Sequence, residues 1–232
     1  MVTLTQPIRN TITVELLKSS PYFTGLETYA LKRIGRLMVE RRVEKGEIIW
    51  LEQDHAKMIY IVASGLIKLF KMSAEGKEQI LRLVRPGDCF GHTGIFNGGS
   101  NPENAQAVAP AVLYGLMNRD MQTLLREQKQ LALNTIKALA TEMHHYISLV
   151  EDLSLRSVSS RLARVLLEYS SDEVLDDSLI RTRGDMAAMT GTVREVIGRS
   201  LKALEEKGVI RSSGRHIIIR DSAALKTMVS SA

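Results

Sequence analysis

Hydrophobic positions change their period along the chain, and each change predicts a different kind of element. Between residues 21 and 120 they fall in short runs, Glu47–Trp50, Met58–Val62, Leu66–Phe70, Gln79–Val84 and Ala111–Leu116. Their length and β-branched content predict strands. The separators Ala63-Ser64-Gly65, Ser73-Ala74-Glu75-Gly76, Arg85-Pro86-Gly87-Asp88 and Asn97-Gly98-Gly99-Ser100 carry the residues that tight turns need. Many short strands so divided predict a small antiparallel barrel or roll. Further on, Ile136, Leu139, Met143, Tyr146, Val150 and Leu153 recur alternately every three and four residues. This is an a/d stripe, and polar flanks such as Lys137, Glu142, His144 and Asp152 make it a candidate parallel dimer seam.

A third pattern begins at Thr182. Its hydroxyl is placed to cap a helix, with Asp185 as the acid of a capping box. Met186, Ala187 and Met189 give that helix a small apolar face, and Thr190-Gly191 ends it where a positive φ is cheapest. From Thr192 the apolar positions Val196, Ile197, Leu201 and Leu204 return at helical spacing, leaving Arg194, Glu195, Arg199 and Lys202 on the other face. Lys207-Gly208 closes this second helix. Val209–Arg211 and Arg215–Arg220, joined through Ser212-Ser213-Gly214, then predict a hairpin.

Two helices about a glycine turn, followed by a hairpin, form a winged helix-turn-helix, whose second helix enters the DNA major groove. Arginine pairs bidentately with guanine O6 and N7, and glutamate accepts from cytosine N4, so Arg194, Glu195 and Arg199 favour a half-site containing G·C pairs. Charge agrees with this reading. From Arg181 to Arg220 nine basic residues stand against four acidic ones, a surplus equal to the net charge of +5 for the whole chain. The basic character is therefore local, as a footprint on phosphates requires. Thr182, Thr192, Lys202 and Arg215 are the further candidates for backbone contacts. A symmetric dimer would set two such helices about one DNA turn apart and predicts a palindromic site.

The remaining composition narrows the alternatives. The chain's 232 residues suffice for two domains. No apolar run of eighteen residues and no signal-peptide core occur, which predicts a cytoplasmic protein that does not engage membranes. Cys89 is the single cysteine, so no internal disulfide forms, and a cluster needing four thiolates is excluded. There is no Gly-x-Ser-x-Gly, no phosphate-cradling loop before Lys-Ser/Thr and no His-Glu-x-x-His, so an enzyme is not predicted.

Thr182 to Arg220 resembles the winged helix-turn-helix of the Crp/Fnr family of bacterial transcription regulators, and the similarity extends over nearly the whole chain. The family run Gly-x-[Ser/Thr]-Arg-Glu-x-x-[Ser/Gly]-Arg is matched by Gly191, Arg194, Glu195, Gly198 and Arg199. Val193 departs from it where a hydroxyl usually caps the helix and touches phosphate, and Thr192 is the expected substitute cap. The resemblance implies an α+β chain with an N-terminal β-roll of the cyclic-nucleotide-binding kind, a long dimerisation helix and the winged domain. The corresponding divisions are 1–120, 121–156 and 157–232. It also implies TGTGA-like half-sites in double-stranded DNA, a homodimer and RNA polymerase as a partner.

The effector cassette differs from that of cyclic-nucleotide binders. His92 stands where a ribose-binding Glu is usual, Glu103 where Arg holds the cyclic phosphate, and Asn104 where Ser follows it; Tyr146-Ile147 replaces Thr-Ser on the dimer helix. A carboxylate in place of the arginine repels the phosphate, so the expected effector is not cyclic AMP. Phe90, Gly91, His92, Asn104 and Tyr146 are the candidate pocket for a small molecule. Two alternatives stay open. One is a haem-dependent gas sensor with His92 as ligand, since Cys89 and His92 resemble the haem segment of carbon-monoxide-sensing members. The other is a roll protein that acts on a protein partner.

Overall fold

The computed structural model describes residues 12–96, 98–170, 182–213 and 216–230. Its elements run α1 (Val14–Ser19), α2 (Thr28–Leu37), β1 (Val39–Val43), β2 (Ile48–Trp50), β3 (Met58–Ser64), β4 (Ile67–Met72), β5 (Glu78–Val84), β6 (Cys89–Phe90), α3 (His92–Phe96), β7 (Asn104–Ala107) and β8 (Ala111–Met117). Then follow α4 (Asn118–Glu127), α5 (Lys129–Leu155), α6 (Val158–Ser170), α7 (Arg183–Thr190), α8 (Arg194–Glu206), β9 (Ile210–Ser213), β10 (His216–Ile219) and α9 (Ser222–Ser230). The chain divides into two units. One contains the described residues up to Leu69 with Arg82–Met143; the other contains Phe70–Leu81 with the described residues from His144 onward.

Two four-stranded sheets, ordered β1-β8-β3-β6 and β2-β7-β4-β5, make the roll. The predicted strands are present, and β1, β6 and β7 join them. β1 pairs antiparallel with β8, from Val39↔Gly115 to Val43↔Ala111, and β8 continues on its other edge to β3. The inward residues Val43, Trp50, Tyr60, Val62, Ile67, Leu69, Val84, Phe90 and Leu113 fill the space between the sheets. At its centre the rings of Trp50, Tyr60 and Phe90 stack, with centroids 5.2–6.1 Å apart. A second apolar layer joins α1, α2 and α4 to the outer face of β3 and β8 through Leu17, Leu31, Ile34, Ile61, Leu116, Met121 and Leu124. Gly65 is required by this closure. It holds φ +85°, and a Cβ there would stand 2.3 Å from the Pro110 carbonyl oxygen.

In the second unit α6, α7, α8, the β9–β10 hairpin and α9 share one core built from Leu162, Leu166, Met186, Ile197, Leu201, Leu204, Ile210 and Leu225. The C-terminal end of α5 is tied to it by charge. Arg161 Nη1 donates to the carbonyls of Asp152, Leu153 and Arg156 at 3.0–3.1 Å, satisfying groups a helix end leaves orphaned. Arg164 and Arg156 both reach the Asp152 carboxylate, at 2.5 and 2.9 Å.

The long stripe lies on α5 as expected, with a shift in which residues it exposes. Ile136, Met143, Val150 and Leu153 are exposed, while Leu139 and Tyr146 are half-buried. Leu133, Ala140 and Ile147 are exposed as well, so the open apolar face reads 133, 136, 140, 143, 147, 150, again at alternating three and four.

Candidate nucleic-acid interface and effector region

The two helices about Gly191 are built by the local signals. Thr182 caps α7, its hydroxyl accepting from the Asp185 N–H at 3.1 Å. The acid does not return to the backbone as a capping box would; instead the Thr182 hydroxyl donates to Asp185 Oδ2 at 2.6 Å. Gly191 ends the helix in the left-handed region at φ 68°, ψ 37°, and a Cβ there would also lie 2.4 Å from Leu153 Cδ2. Thr192 does not cap α8. Its N–H closes α7 by donating to the Ala187 carbonyl at 3.0 Å, which leaves its side chain one position too early, and the N-cap is Val193, without a side-chain bond.

On α8, Ile197, Leu201 and Leu204 turn inward, and Arg194, Glu195, Arg199 and Lys202 are exposed. Two glycines shape the arginines of this surface. A Cβ on Gly184 would meet the Arg194 guanidinium at 2.9 Å, and one on Gly198 would meet Arg183 Nη1 at 3.3 Å. Each arginine thus lies across a bare stretch of the opposite helix, and Arg183, which sequence reasoning passed over, joins the basic face. Lys202 is drawn 3.8 Å from Glu206, an exposed pair of small energetic weight. Arg215 lies outside the described residues.

The wing pairs Ile210–Ser213 with His216–Ile219 antiparallel, Ser213 opposite His216. It is held to α8 by Glu205, whose carboxylate accepts from the Ser212 N–H at 2.7 Å and the Ser212 hydroxyl at 3.3 Å. Both residues are exposed, so this charge-assisted bond contributes about 1 kcal/mol. Glu205→Ala is expected to speed hydrogen exchange at the Ser212 amide about fivefold, leaving exchange in the core of α8 unchanged.

The effector candidates of the first unit prove to be packed and paired. Phe90 belongs to the aromatic stack. Gly91 has φ +86°, with the Met58 carbonyl oxygen 2.8 Å from where a Cβ would sit. Asn104 Oδ1 accepts from the Glu52 N–H at 3.0 Å, pinning the edge of β2. Glu103 is buried, at 5% exposure, and its carbonyl accepts from Trp50 Nε1 at 2.9 Å. Tyr146 belongs to the other unit, half-buried beside the His145 ring.

His92 begins α3 rather than continuing the strand, which ends at Phe90. It is 2% exposed, and its Nε2 bonds the Glu142 carboxylate of α5. Arg82 Nη1 meets the same carboxylate at 3.3 Å, and Arg82 Nη2 stands 3.8 Å from Asp88. The Tyr22 ring lies 5.8 Å from His92, and among the described residues neither Tyr22 Oη nor His92 Nδ1 has a hydrogen-bond partner. Burial, then the Cys89 and Glu142 charges, pushes the Tyr22 phenol up, so it stays a neutral donor. Cys89 shares a 3.4 Å contact with Ser20 Oγ, and burial pushes its thiol up to about 12, which leaves it unreactive at neutral pH. Tyr22, Arg82 and Glu142 escaped sequence reasoning because they are far apart in the chain; only the polar flank of the heptad stripe pointed to Glu142.

Among the described residues no three His, Cys, Asp or Glu side chains are grouped to hold a metal ion, and no helix is long and apolar enough to cross a membrane. Glu103, the carboxylate of the departing cassette, is buried, and Arg82 is paired with Glu142.

Two family models match the chain, a cyclic nucleotide-binding domain over residues 40–128 and a Crp-like helix-turn-helix domain over residues 160–228. The chain is 30% identical over 210 residues to the cyclic AMP receptor protein of Thermus thermophilus, covering 90% of this chain and 97% of that one. It is 25% identical over 199 residues to the fumarate and nitrate reduction regulatory protein of Salmonella typhimurium, covering 82% and 79%. Among solved structures, a transcriptional regulator of the crp/fnr family from Eubacterium rectale superposes with a TM-score of 0.78 at 25% identity, covering 92% of this chain and 99% of that one.

Proposed function

The chain belongs to the Crp/Fnr family of transcription regulators, and from that premise we propose that it acts as a cytoplasmic homodimer on palindromic double-stranded DNA with TGTGA-like half-sites. The family is one of DNA-binding regulators with a helix-turn-helix domain, not of enzymes. The single observation that carries the site reading is α8, which turns Ile197, Leu201 and Leu204 into the core and leaves Arg194, Glu195 and Arg199 open to a groove. Arg194 and Arg199 supply guanine contacts and Glu195 a cytosine contact. Thr182, Thr192, Lys202, Arg215 and the added Arg183 supply contacts to phosphates, which set register and salt dependence.

The dimer seam is the open face of α5, with Ile136, Met143, Val150 and Leu153 central to it, Ala140 and Ile147 beside them, and Leu139 and Tyr146 at its margin. Six exposed apolar residues at heptad spacing on one 27-residue helix support it. The functional divisions fall near residues 120 and 156, and RNA polymerase is the protein partner at promoters. The controlling effector is a small molecule other than cyclic AMP. Support comes from Glu103 at the phosphate-binding position and from His92, whose Nε2 is engaged by Glu142. That engagement favours a positioning role for His92 over haem ligation.

Selection of the full chain against a random DNA pool tests this reading. The expected result is a palindrome with G·C-containing half-sites about one helical turn apart, bound with affinity that falls steeply as salt rises. Enrichment of no sequence would remove it and leave a roll protein with a protein partner.

A further inference from the structure

Val193 occupies the N-cap of the recognition helix and gains nothing there. An N-cap side chain ordinarily accepts from one of the first free N–H groups, and valine does so for none; Ser or Thr is the stabilising choice at that place. Val193 is not compensated by packing. It is 48% exposed and absent from the core that its neighbours Ile197 and Leu201 enter. A local rule broken without a compensating contact marks a position shaped by function.

The place of this side chain suggests the function. It is extended, at φ −113° and ψ 157°, directly before exposed Arg194 and Glu195, at the end of α8 that leads into the major groove. In that groove one base pair presents an apolar group, the C5 methyl of thymine, and aliphatic side chains are its match. We propose that Val193 is a specificity-determining residue that reads a thymine methyl in the base pair next to the guanine contacted by Arg194. The loss of a capping hydroxyl, and of the phosphate contact it would make, is exchanged for a contact that carries sequence information. This inference rests on the DNA-reading function proposed above.

The test uses the selected palindrome and copies of it in which uracil replaces each thymine in turn, removing one methyl group. Burial of one methyl predicts about fourfold weaker binding per half-site at a single position, and about fifteenfold when both half-sites are changed. Val193→Ser is expected to bind thymine and uracil equally at that position, to retain its preference for guanine, and to unfold at or above the wild-type temperature because serine restores the cap. Uracil tolerated at every position, or equal uracil sensitivity in Val193→Ser, overturns the proposal. In either case the palindrome is still selected, which separates this failure from failure of the DNA-reading function, where no sequence is enriched.

Discussion

Arg194→Ala lowers affinity for the selected palindrome by about 2–6 kcal/mol, the sum of one bidentate guanine contact in each half-site at about 1–3 kcal/mol. This is roughly thirtyfold to twenty-thousandfold, and it narrows the gap between specific and non-specific binding. The arginine is positioned for that role. Its guanidinium lies over Gly184, takes no part in the core and forms no ion pair among the described residues, so its removal leaves the fold intact. Lys202→Ala, by contrast, weakens all sequences about equally and lowers the salt slope by about two, one for each protomer. Competition binding at two salt concentrations, with a guanine-substituted site as control, distinguishes these cases. Unchanged selectivity in Arg194→Ala would assign the guanine contact elsewhere.

Glu142→Ala destabilises the first unit by about 1–3 kcal/mol, because the carboxylate is the shared acceptor of a fully buried histidine and a mostly buried arginine. Its removal leaves His92 Nε2 without the bond it makes now, beside an Nδ1 that already has none. Reverting both sides is expected to recover much of the loss. Glu142→Leu with His92→Leu strands no imidazole, and Arg82 keeps Asp88 within 3.8 Å and one-fifth of its side chain in solvent. Trp50, the single tryptophan, is stacked in the roll and reports unfolding of this unit. A denaturant midpoint followed by its fluorescence that does not move in Glu142→Ala would show that the pair contributes nothing.

Legibility in the sequence followed locality. The helix ends about Gly191 could be read because each signal acts within five residues: Thr182 with Asp185, the left-handed glycine, the closing Lys207-Gly208. Strands with apolar cores could be read for the same reason. β1 could not, since Val39-Glu40-Arg41-Arg42-Val43 is mostly charged and its only claim to strand form is a partner more than sixty residues away. β7 is Asn-Ala-Gln-Ala, with no β-favouring residue, and is made a strand by neighbours on both edges. In the effector region the residue types were noticed but not their bonds. His92 was visible as a departure from the cassette, whereas the carboxylate that claims it stands 50 positions on. The heptad was legible as a period, and the side of α5 it exposes was set by which of Leu139, Ala140, Tyr146 and Ile147 the remaining structure covers.

The pairing of β1 with β8 orders events during synthesis. The ribosome releases the chain from its N-terminus, so Val39–Val43 emerges with every ladder partner still to be made, and the roll stays open until residues near Met117 have cleared the exit tunnel. Until then β1 is an unmated edge, and its glutamate and two arginines keep that edge from pairing with other chains. The helix-turn-helix domain carries no such delay: its helices and wing lie consecutively in the last third of the chain and can close as they appear. The roll and the helix-turn-helix domain are therefore expected to mature by different clocks, the roll limited by chain elongation and the DNA-binding domain by local helix formation.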